Sequence, residues 1–448
     1  MFLPQRGLPA HAASRQWRPG LGAPNKMMNE YGSGKRRIAV TGAGLVSALG
    51  GDRREAWGRI REGRSGIGPI RVLTDGGFPV KIGGEASFPV EGTILRPGGW
   101  RGLRRSSRTD LMCLLAACEA LEGAGYLGVS GAVSGEISEF GVSVGSTTGG
   151  MLEGEESILR AASGPKPRRL RAGALLSVPC SQPAVRVSHW AGFTGPCLAN
   201  TTACSSGAVA VAVAADAIRR GEAPGMLAGG ADSLCRLTLS GFGSLKLLDA
   251  EPCRPFDASR RGLSLGEGAG ILVLEDWDRA RHRGVRILAE FLDYGTSCDA
   301  HHLTSADPNG LGAAAALRTA LERSSREPGD VDYINAHGTG TPLNDASEVT
   351  ALRAVFGPLV RRIPVSSTKS LFGHALGAAG GLEAVVTVMA LETQVLPPTV
   401  GWKGGDESFD LDIVPGIARP ARIRMALSNN FGFGGGNCTL AFAAAETP

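Results

Sequence analysis

One pattern recurs through this 448-residue chain: a short apolar run closes on a cluster of Gly, Ser, Thr or Asn, often with a helical pattern after it. "RRIAVTGAGLVSALG" (36–50) and "FGVSVGSTTGGM" (140–151) carry it early, and "GMLAGGADSL" (225–234) and "GAGILVLEDW" (268–277) read as buried strands. "RILAEFLDYGTS" (286–297), "VDYINAHGTGT" (331–341), "IPVSSTKSLFGHALGAAGG" (363–381) and "RMALSNNFGFGGGNCTLAFA" (424–443) carry it late. Short apolar runs bounded by turn residues read as buried strands. Strands alternating with helices restrict the chain to an α/β architecture with helix-covered sheets. The pattern occurs on both sides of a joint near residue 285. This predicts two similar halves, 37–285 and 286–448. The 66 glycines and the 5% aromatic content suit closely packed elements joined by tight turns. "RTDLMCLLAACEALEGAGY" (108–126) reads as a helix stopped by glycine. Ile38–Thr41 reads as a strand leading through a glycine turn into a helix. It imitates a dinucleotide fingerprint but has Ser47 at the third glycine position.

Residues 1–36 differ: the first 26 are rich in Pro, Gly and Arg and contain no acid. They are expected to be a disordered extension or an over-long start, with Met27 or Met28 as the beginning. The net charge of +5 and pI near 8.8 suit an acidic protein partner better than nucleic acid, for which no zinc motif or aromatic-basic stripe exists. Nine cysteines without a CxxC pair argue for a reducing, cytoplasmic setting and against a disulfide framework or metal site. The apolar run Gly207–Ile218 is too short to span a bilayer, contains Asp216 and ends in Arg219-Arg220.

Four polar segments stand at predicted strand ends, where α/β proteins collect ligand sites. "NTTACSSGAVAVAVAADAIRR" (200–220) places Cys204 at the head of a helix apolar nearly all round. Helix-start N–H groups and the helix dipole are expected to lower its thiol pKa. Free cysteines are commonly small core residues, the reading for Cys113, Cys118, Cys180, Cys235 and Cys438. His337 and His374 are two of only seven histidines, and each lies in a Gly/Ser/Thr turn. A lone histidine is usually structural. Two histidines with a helix-heading cysteine suit thiolate chemistry with two hydrogen-bond donors. "NNFGFGGGN" allows close backbone approach, or is simply a β-turn.

"TACSSG", "CRPFDASRRGLSLGEGAGILVLE", "NAHGTGTP", "TKSLFGHALGAAG" and "NFGFGGGN", in this order, resemble the β-ketoacyl-acyl carrier protein synthases. The likeness is to the type II, chain-elongating branch with a Cys-His-His site, from about Arg37 onward. It implies the thiolase fold, two similar halves in a five-layered α-β-α-β-α arrangement, usually as a homodimer; a heterodimer is the alternative. It implies that Cys204 carries the acyl chain as a thioester. His337 and His374 would promote malonyl decarboxylation and hold the enolate oxygen. Lys369 would support the second histidine, with Glu383 in the same network. The N–H groups of Cys204 and Phe433 would form an oxyanion hole, and Phe433 would gate the cysteine. Thr339 and Thr341 would bind the pantetheine arm, and Phe242 and Thr148 the substrate. No cofactor is implied beyond the phosphopantetheine of acyl carrier protein, the expected partner. Arg104, Arg108, Arg168, Arg169 and Lys246 are candidates for its dock, although Arg/Lys clusters are usually just solvated surface.

A thiolase would need a second cysteine in the last motif, where none stands. The acyl-CoA-priming branch has Asn where His374 stands. A non-catalytic chain-length partner would lack Cys204. Fatty-acid elongation is the expected reaction, with a type II polyketide or polyene ketosynthase as alternative. Thr148, and the absence of aromatics in "LRAGALLSVP" (170–179), predict a reshaped, deep acyl tunnel.

Overall fold

A computed structural model describes residues 35–73, 77–88, 106–128, 133–163, 169–170, 172–406 and 409–445. The reading of residues 1–36 as an extension therefore lies almost wholly outside the described residues.

In the first half, β1 (Ile38–Val46) is followed by α1 (Arg108–Gly123), β2 (Gly141–Gly145), β3 (Cys197–Asn200), α2 (Ser206–Arg219), β4 (Gly225–Asp232), α3 (Arg236–Ser244) and β5 (Gly268–Asp276). The strands pair in the order β1-β5-β4-β2-β3. The first two pairings are antiparallel and the last two parallel. The second half contains β6 (Ala289–Cys298), α4 (Leu311–Arg323), β7 (Tyr333–Asn335), α5 (Pro342–Phe356), β8 (Pro364–Ser366), α6 (Ala379–Thr393), β9 (Asp412–Ile413), β10 (Met425–Phe431) and β11 (Gly436–Ala444). Its strands pair β6-β11-β10-β7-β8, with the same succession of antiparallel and parallel neighbours, and β9 adds an edge. The two five-strand arrays are thus repeats of one topology. They meet where Ile38–Val40 of β1 pair with Ala289–Phe291 of β6.

Helices α2 and α6 lie between the arrays and touch both, while α1 covers one outer face and α4 and α5 the other. This is the five-layered thiolase arrangement. A helix between two sheets has almost no solvent face, which explains why α2 and α6 are apolar nearly all round, with few charged residues such as Asp216 and Glu383. Every residue from Ala379 to Leu391 is buried. By length and hydropathy, 376–393 alone among the described helices is apolar enough to cross a membrane; it is this buried core segment. The central helices approach almost backbone to backbone: a Cβ on Gly207 would sit 2.6 Å from the Gly381 nitrogen.

The glycines of "TGAG" do not form a turn. β1 continues through them to Val46, with a bulge in its pairing between Val40 and Gly42. A Cβ at Gly42 or Gly44 would collide with the carbonyl oxygens of Ala120 and Ala116 in α1. The glycines let a helix lie on the strand, and the motif that imitated a phosphate turn is a packing device. Helix α1 begins as expected: the Ser107 hydroxyl accepts from Asp110 N–H and Asp110 accepts from Ser107 N–H, a capping box.

Candidate active site

The turns after β3, β7 and β8 and the β10–β11 hairpin converge. Cys204, His337, His374, Thr339, Thr341, Phe242 and Phe433 line one cavity of about 310 Å³. That volume lies within the range of small-ligand sites.

Cys204 precedes the cap residue of α2, Ser205, and only 5% of it is exposed. Its neighbour Ala203 has φ +51°, a left-handed conformation that costs a non-glycine residue on the order of 1 kcal/mol. Local hydroxyls lock this turn. Ser205 Oγ donates to the Thr202 carbonyl, Ser206 Oγ donates to the Ala203 carbonyl, and Ser206 Oγ accepts from Thr202 N–H. Burial pushes the Cys204 thiol up to about 11, against the opposing pull of the Phe433 N–H and Lys369. The expected lowering of the thiol pKa is therefore corrected to a rise, because loss of water outweighs the donors around the sulfur, and the resting group is a neutral thiol. Cys235 also heads a helix, α3, but that helix buries only Leu239 and Cys235 does not line the cavity.

Phe433 lies in the short turn between β10 and β11, stacked on Phe242 of α3 with ring centroids 5.3 Å apart. A Cβ on Gly432 would sit 3.2 Å from the Cys204 nitrogen. The hairpin backbone thus packs against the nucleophile turn, with the Phe433 N–H directed at the sulfur. "NNFGFGGGN" is both the β-turn and the close-approach element.

His337 and His374 are each 2% exposed, with ring centroids 5.3 Å apart and planes at 87°. Burial, and then Lys369, lower both imidazoles well below their ordinary range, so both are neutral at pH 7. Lys369 Nζ lies 3.2 Å from His337 Nδ1. An ammonium only donates, so Nδ1 accepts and the ring proton sits on Nε2. Lys369 thus serves the first histidine. The expectation that it supports His374 is corrected, and His374 Nδ1 has no partner among the described residues. Lys369 is fully buried and ion-paired with Glu383 of α6, which also accepts from the Asn430 amide.

Three carboxylates escaped the sequence reading. Glu348 accepts from His337 N–H at 2.9 Å and Gly338 N–H at 2.8 Å. Burial raises its carboxyl to about 7. Asp345 accepts from the N–H groups of Thr339 and Gly340. These two acids are three residues apart in α5, directly after the His337 turn, and that spacing was a readable signal. Asp232, at the end of β4, binds the turns after β2 and after His374.

Other expectations change. Thr148 is 3% exposed, its hydroxyl donates to Asp232 at 2.8 Å, and it does not line the cavity. A buried hydroxyl needs an acceptor, and Asp232 supplies it. Arg108 is no docking residue: its guanidinium binds the buried Glu267 and the Ala86 carbonyl and lies over Phe88. Arg104 and Arg168 lie outside the described residues. Arg169 is exposed. Lys246 is exposed and lines the cavity mouth with Arg261, which the sequence reading missed. The hydroxyls of Thr339 and Thr341 are 2.9 Å apart on the cavity wall. Of the cysteines read as structural, Cys113, Cys235 and Cys438 are buried, and Cys118 and Cys180 are partly exposed.

The comparisons agree with this geometry. The family model described as beta-ketoacyl synthase, N-terminal domain, matches residues 35–280, and that of the C-terminal domain matches 288–403. The chain is 38% identical to nodulation protein E of Rhizobium meliloti (strain 1021) over 408 residues, 91% of this chain and 99% of that protein. It is 36% identical to 3-oxoacyl-[acyl-carrier-protein] synthase 2 of Synechocystis over 427 residues, 91% of this chain and 98% of that protein. Among solved structures, the ishigamide ketosynthase/chain length factor superposes with TM-score 0.84 at 32% identity, covering 92% of this chain and 100% of that one. A type II polyketide ketosynthase solved with its acyl-carrier protein, AntDE:AntF, gives 0.82 at 29% identity, with the same coverage. The chain belongs to the β-ketoacyl synthase family.

Proposed function

We propose that this chain is an acyltransferase that condenses malonyl-acyl carrier protein with an acyl primer held on Cys204, giving 3-oxoacyl-acyl carrier protein in fatty-acid elongation. The observation that carries this is the meeting of a buried cysteine with two neutral histidines in one cavity, the first ring oriented by a buried lysine. The match to a 3-oxoacyl-[acyl-carrier-protein] synthase 2 along nearly its whole length supports it.

In the first step Cys204 sulfur attacks the acyl thioester of the carrier, whose own thiol leaves. The Cys204 proton passes to that leaving sulfur, with His374 as the ring at hand to relay it, since the Lys369 ammonium occupies the only free lone pair of His337. Malonyl thioester then enters with its carbonyl oxygen toward His337 Nε2–H and His374. The bond to the carboxylate breaks, carbon dioxide leaves, and the electron pair becomes the thioester enolate. Neutral imidazole donors at that oxygen each contribute about 2–4 kcal/mol, on oxyanion-hole precedent. The enolate carbon attacks the acyl-Cys204 carbonyl, whose oxygen takes hydrogen bonds from the N–H groups of Cys204 and Phe433. Collapse expels the Cys204 sulfur. Thr339 and Thr341 offer hydroxyls to the phosphopantetheine arm, and nothing beyond that arm is needed.

Lys246 and Arg261 at the cavity mouth, with Arg169, form the reading for the acidic carrier's dock. Strand β3 is a sheet edge, and Ile158, Leu175, Leu176 and Val185 are exposed apolar side chains. An open edge and exposed apolar residues support a homodimer.

The test is mass spectrometry of the intact protein with acyl- and malonyl-carrier substrates. Acylation on Cys204 and formation of 3-oxoacyl product are expected. Cys204→Ala abolishes both, and Cys204→Gln retains malonyl decarboxylation. Condensation by Cys204→Ala at a substantial rate refutes the assignment.

A further inference from the structure

Asp232 occupies the innermost end of β4, 0% exposed, and no step of the proposed reaction uses it. Its carboxylate accepts from five donors. Oδ1 takes the Ser146 hydroxyl at 2.8 Å, and the N–H and hydroxyl of Thr148, each at 2.8 Å. Thr147 N–H is shared between both oxygens, and Oδ2 takes Gly377 N–H at 2.7 Å. Every partner donates, so the carboxylate is an acceptor throughout, with its lone pairs filled.

Those donors come from two separate places. Residues 146–148 form the turn after β2, and the Thr147 hydroxyl reaches the Ala203 carbonyl at 3.4 Å, beside the nucleophile. Gly377 follows His374 by three residues and precedes α6. Between them Leu376 is held at φ +52°, a left-handed conformation a leucine adopts only where its surroundings enforce it. The space there is closed. A Cβ on Gly377 would meet Asp232 Oδ2 and the Thr147 hydroxyl at 2.6 Å, and one on Gly230 would meet the Gly377 carbonyl oxygen at 2.5 Å. The Gly377 peptide is thus gripped on both sides, by Asp232 at its nitrogen and by β4 at its oxygen.

We propose that Asp232 is a positioning residue that fixes the His374 turn relative to the Cys204 turn, and so sets where the second imidazole meets the enolate oxygen. This rests on the function proposed above. A misplacement of about 1 Å at a reacting centre costs on the order of 100-fold in rate. Asp232→Asn keeps the shape but turns one acceptor into an NH₂ that meets an N–H donor head on.

The experiment follows malonyl-carrier decarboxylation and Cys204 acylation separately, in wild type, Asp232→Asn, His374→Ala and the double variant. Decarboxylation kcat is expected to fall at least about tenfold in Asp232→Asn. KM stays within about twofold and Cys204 acylation does not fall, as expected when ring placement is lost and the nucleophile is not. Added to His374→Ala, Asp232→Asn is expected to cause no further loss, because it acts through that ring. A merely structural carboxylate gives additive losses, or lowers acylation and decarboxylation together, and either result overturns the proposal. If Asp232→Asn fails to fold, Ser146→Ala/Thr148→Val removes two hydroxyl donors from the same oxygen. It is expected to show a smaller kcat loss that again vanishes beside His374→Ala, and persistence of the loss overturns the proposal. A wild type with no decarboxylation at all sinks the function reading itself, and Asp232's role with it.

Discussion

Replacing Lys369 by Met separates two jobs that one ammonium performs. Lys369 and Glu383 are both fully buried and paired, and Lys369 Nζ also donates to His337 Nδ1 at 3.2 Å. Removing the lysine leaves the Glu383 carboxylate buried without its counter-charge, at a cost of about 3–5 kcal/mol of stability. It also frees His337 to place its proton on either nitrogen. Losing one preorganised donor at a developing oxyanion lowers the rate about 100- to 1,000-fold. The single variant is therefore expected to be both unstable and slow.

Lys369→Met/Glu383→Gln resolves the two effects. Gln removes the stranded charge and keeps an oxygen for the Asn430 amide, which now donates to Glu383. Replacing a whole buried ion pair with neutral groups is often close to neutral in stability. Thermal unfolding followed by circular dichroism is expected to recover most of the loss, while malonyl decarboxylation stays depressed. Recovery of decarboxylation along with stability refutes the view that Lys369 sets the His337 proton. An undiminished melting temperature in the single variant refutes the uncompensated-charge reasoning.

Acid should destabilise the fold through His337 and His374, whose folded forms are held neutral by burial. The unfolded rings take up protons below about pH 6.5, so their contribution is full above that and falls with pH, by up to about 1.4 kcal/mol per pH unit per ring, while buried carboxyls raised to about 7, such as Glu348, pull the other way; the stability difference between wild type and a variant with both rings replaced by Asn should therefore shrink as pH falls, and a pH-independent difference contradicts it. Iodoacetamide alkylation of Cys204 should still be rising with pH at pH 9–10, in line with a thiol near 11; a plateau at neutral pH refutes the neutral thiol. Lys246→Glu/Arg261→Glu should raise KM for carrier-bound substrates and weaken their salt dependence while leaving kcat within about twofold; unchanged kinetics place the dock elsewhere. Phe242→Ala removes the ring stacked on Phe433, a contact of about 0.5–1.5 kcal/mol, and should speed Cys204 alkylation; an unchanged rate shows that the stack does not hold the gate.

Much of the site was legible because its reactive residues sit in short local signals. Cys204 heads an apolar run, and His337 and His374 each follow a strand into a glycine-containing turn. The two-half organisation was readable because buried strands ending in polar, glycine-containing turns recur on both sides of the joint. What failed was whatever depends on a partner far along the chain. Arg108 looked like a free surface cation, yet its counter-charge is Glu267, 159 residues away. Thr148 looked like a pocket wall because its acceptor, Asp232, lies 84 residues on. The glycines of "TGAG" were misread because the helix that requires them, α1, starts more than sixty residues later.

The buried acids share a logic that single-residue reading does not reveal. A glycine-rich turn bends sharply enough to present a side chain, but it leaves N–H groups unpaired and the backbone loose. A buried carboxylate cures both defects, since its two oxygens together accept from several donors and hold them in place. Glu348 does this for the His337 turn, Asp345 for the Thr339 turn and Asp232 for the His374 turn. Glu383 instead pairs with a side-chain charge, the Lys369 ammonium. The arrangement has an electrostatic consequence at the nucleophile. Asp232 and Glu383 both add to the rise of the Cys204 thiol, against Lys369 and the Phe433 N–H. Burial is the largest cause of the protonated sulfur, and the carboxylates that make the site rigid add to it. A protonated thiol is a poor target for oxidants, which attack the thiolate. Asp232→Asn removes one of those charges, so it should increase the thiolate fraction and the peroxide sensitivity of Cys204 even as decarboxylation falls. Slower condensation with a faster-oxidising cysteine is the paired signature of a carboxylate that positions one residue and restrains another. A variant whose cysteine oxidises no faster than wild type breaks that link.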